Sequence, residues 1–120
     1  MKKKTLVLGA SENPARYSNM AINRLVDNGV EVVALGLKPG EAHGVTIVNE
    51  NLPFENIHTV TIYLNPARQK PYYDYILSLK PQRVIFNPGT ENLEFYLQLR
   101  KNNIEVEAAC TLVLLGTNQY

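Results

Sequence analysis

Two periods alternate along the chain. Short, β-branched apolar runs stand at Thr5–Leu8, Val30–Leu35, Thr59–Leu64, Arg83–Phe86 and Ile104–Val106, and between most of them apolar residues recur three and four positions apart. Continuous apolar runs of this length suit strands buried on both faces of a parallel sheet, and the intervening segments suit the helices that cover it. A first helix is expected from about Ser18 to Asn28, with Ser18 as N-cap, Ala21, Ile22, Leu25 and Val26 as the apolar stripe, and Gly29 at the left-handed C′ position. A second opens at Asn65-Pro66, an N-cap followed by proline at N1. Pro71 disturbs its first turns, Tyr72, Ile76 and Leu79 then share a face, and Pro81 stops it after Lys80. The third follows Thr90, with Glu91 set against the helix dipole and Leu93, Tyr96 and Leu97 expected inward. Thr111 is a candidate cap for a short terminal helix, Leu112–Leu115.

Strand and helix therefore alternate, with a candidate short strand at Val45–Val48 in the otherwise weakly patterned segment Gly36–His58. Right-handed crossovers turn this order into an α/β, three-layer Rossmann-like fold. The expected sheet is mostly parallel and five-stranded, in the order 3-2-1-4-5, with a ligand crevice at the carboxyl ends of strands one and four.

Composition narrows the partners. At 120 residues the chain is read as one domain, 1–120, and 45% hydrophobic against 19% charged residues argues against disorder. Twelve Lys and Arg balance eleven Asp and Glu, for a formal charge of +1. Such a chain has no global field to steer it onto nucleic acid or an anionic bilayer, so any anion it binds must be held by a local device. No apolar run approaches the roughly 20 residues that span a membrane. Met1-Lys2-Lys3-Lys4 begins like a signal peptide, but the apolar stretch behind it ends at Gly9-Ala10-Ser11, too soon for a hydrophobic region of that kind. One cysteine, Cys110, excludes an internal disulfide, and with two histidines it speaks against an all-protein zinc site. The expectation is a soluble, cytoplasmic domain with no metal, nucleic-acid or membrane partner.

Four loops fall at the predicted strand ends: Gly9–Ser18, Gly36-Leu37-Lys38-Pro39-Gly40, Leu64-Asn65-Pro66 and Asn87-Pro88-Gly89-Thr90. In the first, Gly9 permits a tight turn just ahead of a helix, whose free amides and positive dipole end suit a phosphate; an ordinary βα turn is the plainer account. A dinucleotide fingerprint would place glycines where Ser11 and Pro14 stand. The acidic residue that would hold a ribose hydroxyl after strand two is also missing, and Lys38 stands nearby instead. Unless it is merely a solvated turn residue, Lys38 favours an extra phosphate on the ribose, a group of about −1.5 to −2 charges. Coenzyme A carries such a group at the 3′ position and NADP at the 2′ position.

Taken together, Gly9-Ala10-Ser11-x-Asn13-Pro14-x-Arg16-Tyr17-Ser18, the Gly-x-Lys-Pro-Gly turn and Asn87-Pro88-Gly89-Thr90 resemble the small stand-alone coenzyme A-binding proteins, similar in fold to the N-terminal domain of the succinyl-coenzyme A synthetase alpha subunit. The resemblance runs from Lys4 to about Leu115. It implies that Gly9, Ala10, Ser11, Glu12 and Asn13 wrap the nucleotide phosphates and that Lys38 contacts the coenzyme. It further implies that Tyr63, Leu64, Asn65 and Pro66 flank the adenine, that Asn87, Pro88 and Gly89 lie on the pantetheine side, and that Arg16, Tyr17 and Ser18 line the mouth. The synthetase's second domain, with its phosphorylated histidine, has no counterpart here, and neither His43 nor His58 matches it. The apolar run Cys110–Leu115 stands where related chains are polar, and is expected to pack across the sheet edge or into a homodimer interface.

Catalytic candidates are sparse. Glu12, His43, Glu50, Glu55 and Asp74 each lack an evident partner group, and Tyr72, Tyr73 and Tyr75 suit packing better than stacking on a base. Cys110, beside a helix start, has the chemistry to form a mixed disulfide with a thiol ligand, although a lone cysteine is more often a small buried hydrophobe. The preferred reading has no catalytic residue: a binder of coenzyme A or an acyl-coenzyme A, acting as sensor, carrier or regulatory protein. The alternative is an NADP- or NAD-binding Rossmann module with oxidoreductase activity.

Overall fold

The apolar runs do become strands, in a sheet that has seven strands among the described residues and not five. The computed structural model describes residues 3–120, so Met1 and Lys2 of the lysine-rich start lie outside the described residues. In chain order the elements are β1 (Thr5–Ala10), α1 (Tyr17–Asp27), β2 (Val32–Gly36), β3 (Gly40–Ala42), β4 (Val45–Val48), β5 (Thr59–Ile62), α2 (Pro66–Gln69), α3 (Tyr73–Leu79), β6 (Arg83–Phe86), α4 (Leu93–Lys101), β7 (Glu105–Ala108) and α5 (Thr111–Gly116). The sheet runs β3-β4-β2-β1-β5-β6-β7. All neighbouring pairs are parallel except β3 with β4.

The segment Gly36–His58 is the source of the extra strands. Val45–Val48 pairs in parallel with β2, through Ala34 with Ile47 and Leu35 with Val48, and so takes the place outside strand two. Counted as the third parallel strand, it puts β5 next to β1 and gives the order 3-2-1-4-5-6, a Rossmann-like arrangement. The antiparallel β3 is joined to it by His43-Gly44, both at positive φ (52° and 83°), as a tight hairpin turn requires.

Alternation along β1 divides the core into two layers. Leu6 and Leu8 face α3 and α4 among Val60, Ile62, Ile76, Val84, Phe86, Phe95 and Leu99. Val7 and Ala10 face α1 and α5 among Ile22, Leu25, Ala34, Ile47 and Leu115. Helices on both faces of a mostly parallel sheet make the three layers.

Several local expectations shift by a residue or a face. Ser18 is buried and does not cap α1; Arg16 holds that position without a side-chain bond. At the other end, Gly29 N–H donates to the Val26 carbonyl and Val30 N–H to the Leu25 carbonyl, which closes α1 as the Gly29 signal predicts. Asn65 accepts from Arg68 N–H with Pro66 at the first position of α2, and Pro71 breaks the continuation into a 3-10 turn before α3. In α4 the inward pair is Phe95 and Leu99, while Leu93 and Leu97 are exposed. Asn92 sets that rotation: it caps the helix while its amide donates to the Gln69 side chain and the Tyr73 hydroxyl. Thr111 is the first residue of α5 and not its cap, and Leu114 and Leu115 are buried, Leu115 among Ile22 and Leu25 of α1, so part of the apolar tail is consumed inside the chain. Tyr73 stacks on Phe95 in the core, with ring centroids 4.3 Å apart. Among the described residues no helix is long and apolar enough to cross a membrane.

Candidate functional site

A parallel sheet sends its strand ends, and the loops after them, to one edge. Here those loops surround a cleft of about 780 Å³, within the usual size range of small-molecule sites. The first wall is Gly9–Asn13 with Arg16, Tyr17 and Ser18, the second Leu37 and Lys38, the third Tyr63, Leu64, Asn65 and Arg68, and the fourth Pro88, Gly89 and Thr90. Asn13 and Lys38 therefore face one space, as the loop pattern requires.

The first loop is built close to the sheet. Ala10 pairs with Gly36 after a bulge at Gly9, and a Cβ on Gly36 would overlap the Ala10 carbonyl and stand 3.1 Å from Ile47 Cγ2. Within the loop, Asn13 N–H donates to Ser11 Oγ (3.1 Å), Ala15 N–H to Asn13 Oδ1 (3.0 Å) and Arg16 N–H to the Asn13 carbonyl (3.0 Å). Those amides are spent on the loop's own shape. The amides of Tyr17 and Ser18, in the first turn of α1, have no acceptor among the described residues. They point where a helix dipole adds positive potential, and α1 is long enough, at 11 residues, to carry one.

Side-chain charge adds to this. Arg16, Lys38 and Arg68 line the cleft, all exposed, and none makes an ion pair among the described residues. Against these three cations stands one carboxylate, Glu12. A chain of formal charge +1 thus concentrates positive charge on a single concavity, which suits a ligand with several negative groups.

Two of the sequence candidates fall outside the lining. Asn87 is buried, and its amide is fully used: Nδ2 donates to Thr61 Oγ1 (2.7 Å) and the Ile62 carbonyl (2.9 Å), and Oδ1 accepts from Thr111 N–H (2.8 Å). It holds β5, β6 and α5 together beneath the cleft. Pro66 starts α2 and does not line the cleft either. Arg68 lines it without having been marked in the sequence, and Leu37 and Thr90, which belong to loops marked there but were given no role of their own, line it too. Gln69, buried below the third and fourth loops, donates to the carbonyls of Leu64 (2.9 Å) and Thr90 (2.8 Å) and fixes their spacing. Only the Asn65-Pro66 helix start hinted at Arg68 and Gln69, since both fall in the first turn after it.

Tyr63 differs from its neighbours. Burial pushes its phenol up to about 12, so it is neutral at physiological pH, and its hydroxyl is enclosed without a hydrogen-bond partner. Cys110 is half-buried and His43 and His58 lie elsewhere; none of the three is part of the lining. Among the described residues no group of three or more His, Cys, Asp or Glu side chains is arranged to hold a metal.

With the geometry in place, comparison with known proteins adds the family. Residues 3–116 match the model of a family described as a CoA binding domain. An uncharacterized protein of known crystal structure is 49% identical, superposes with a TM-score of 0.97 and is matched over 100% of this chain and 99% of its own. A Thermus thermophilus protein (22% identity, TM-score 0.87, 99% of this chain and 91% of that one) shares the fold. So does a conserved hypothetical protein from Pyrococcus furiosus (24% identity, TM-score 0.81, 94% and 98%). No curated protein matches the sequence.

Proposed function

The chain belongs to the CoA binding domain family, and from that premise we propose that its cleft binds coenzyme A or an acyl-coenzyme A without chemically altering it, so that the protein serves as a sensor, carrier or regulatory partner. The observation that carries this reading is the convergence of Arg16, Lys38 and Arg68, unpaired, with the free amides of Tyr17 and Ser18 on one cleft. Coenzyme A bears a diphosphate and a 3′-phosphomonoester, and needs such a set of donors. In this reading the diphosphate sits over the first turn of α1, where amides and dipole act together. Lys38 takes the 3′-phosphate from the flank of β2. Arg68, in the helix that follows β5, two strands from β2, supports the opposite side of the nucleotide. Pro88, Gly89 and Thr90 border the pantetheine arm.

Lys38 favours an NADP 2′-phosphate by the same electrostatics, so the test must separate the two. Calorimetric titration with coenzyme A is expected to give a dissociation constant in the micromolar range, about −8 kcal/mol. NADP and NAD are expected to bind at least ~10-fold more weakly, because the glycine that lets backbone approach a dinucleotide diphosphate is replaced by Ser11. Tighter binding of NADP than of coenzyme A would replace this reading with that of a dinucleotide module.

A further inference from the structure

Glu12 is out of place in a cleft for a polyanion. It is the one carboxylate in the lining, yet it pairs with none of the cations around it. Its Oε2 instead accepts from Glu41 N–H at 3.0 Å, across 29 residues of sequence. The fit against β3 is close: a Cβ on Gly40 would stand 2.6 Å from Glu12 Oε2 and 2.7 Å from Glu12 Cγ, too near for any side chain without displacing the carboxylate.

A second strut runs beside it. Asn19, 4% exposed, donates from Nδ2 to the Ser11 carbonyl at 2.9 Å and turns its Oδ1 to His43 Nε2 at 2.8 Å. Because that oxygen can only accept, the imidazole presents Nε2–H to it. His43 sits in the turn of the β3–β4 hairpin. Two consecutive residues of the first loop are thus fastened to the same hairpin, Glu12 directly and Ser11 through the buried Asn19.

We propose that the β3–β4 hairpin is a brace for the ligand loop and that Glu12 is a positioning residue, holding the loop in its binding shape through Glu41 N–H and not touching the ligand. This rests on the coenzyme A reading for its ligand, but the brace itself is a property of the empty loop. Its consequence is a separation of signs. Glu12→Gln keeps an acceptor oxygen at the same reach and removes a negative charge from a polyanion site. Glu12→Ala removes the acceptor. Gly40→Ala leaves Glu12 chemically intact and pushes it off its seat. Glu12 is exposed and Gly40 lies on the edge strand, so all three variants are expected to fold.

The experiment measures coenzyme A affinity by calorimetry and, on the ligand-free proteins, amide hydrogen exchange of Asn13, whose N–H is bonded within the loop, and of Glu41, whose N–H the brace uses. Glu12→Gln is expected to bind coenzyme A about two- to fivefold more tightly than the parent, with exchange unchanged. Glu12→Ala and Gly40→Ala are expected to bind about tenfold more weakly, with faster exchange. Equal losses for Gln and Ala would mean that Glu12 contacts the ligand through its charge, and would overturn the positioning role. Exchange unaltered in both Ala variants would overturn the brace. If the parent protein fails to bind coenzyme A, the proposed function falls while the exchange measurement still decides the brace.

Discussion

The two ends of the sheet treat their cations in opposite ways. At the amino ends of the strands Arg83 is buried, donating from Nε to Thr59 Oγ1 (2.8 Å), pairing with Glu107 (3.3 Å) and lying over the Tyr120 ring with Cζ 4.4 Å from its centroid. The Tyr120 hydroxyl in turn meets Thr5 Oγ1, which ties the chain's end to β1. At the carboxyl ends Arg16, Lys38 and Arg68 stand exposed around an open cleft with no acidic partner. A guanidinium taken out of water must be satisfied from within the chain, so Arg83 is committed to structure. The cations at the other end retain their water, which a phosphate can displace. The difference gives a working rule for this molecule: substitutions at the amino end should cost stability, and those at the carboxyl rim should cost affinity.

The largest break in that rule would come from Arg83 itself. Arg83→Ala leaves Glu107 without its ion-pair partner and Thr59 Oγ1 with only His58 Nδ1, and should lower unfolding free energy by about 3 kcal/mol, read as a fall in the urea midpoint, with coenzyme A affinity retained while the protein is folded. Asn87→Ala sharpens the boundary, because Asn87 sits just below the cleft yet spends its amide on Thr61, Ile62 and Thr111. It should cost about 2 kcal/mol of stability, like an amino-end residue. Arg68→Ala, at the rim, should weaken coenzyme A binding about fivefold, about 1 kcal/mol, with a thermal midpoint within a degree or two of the parent.

The smallest effect is one of pH. Burial, then the neighbouring charges of Arg83 and Lys3, lowers the His58 pKa below its ordinary value of 6.5. The folded protein therefore resists a proton that the unfolded chain takes up. Stability from this source is present above pH 6.5 and is lost as the pH falls toward and through the lowered value. Thermal midpoints compared at pH 7.5 and 5.5 should show a decline that His58→Gln reduces.

The sequence made the fold legible where a single signal was decisive. The apolar runs of β1, β5 and β6, the Asn65-Pro66 helix start and the Gly29 stop all stand where their local chemistry puts them. The hairpin was faint because its strands are short, β3 is polar at Glu41, and His43-Gly44 lacks the Asn-Gly or Asp-Gly signature of a tight turn. The α4 face was ambiguous because Leu93, Phe95, Tyr96, Leu97 and Leu99 supply two i, i+4 pairs, and only Asn92's contacts with Gln69 and Tyr73 choose between them. At the cleft, Gly9 and Lys38 follow from loop chemistry, and Ser11 and Asn13 from the family resemblance. Asn19, Gln69 and Asn87 do not, since each takes its meaning from partners on other loops and strands: His43, 24 residues from Asn19, Thr90, 21 from Gln69, and Thr61, 26 from Asn87. An asparagine that caps, binds or braces looks the same until its partner is in place.

The affinity ratio between coenzyme A and its 3′-dephosphorylated form, measured by calorimetry in the parent protein and in Lys38→Ala, bears most directly on the account. It predicts a parent preference of about tenfold, about 1.4 kcal/mol, that collapses toward unity in the variant. A parent protein that binds both forms equally, or a preference that survives loss of Lys38, would contradict it.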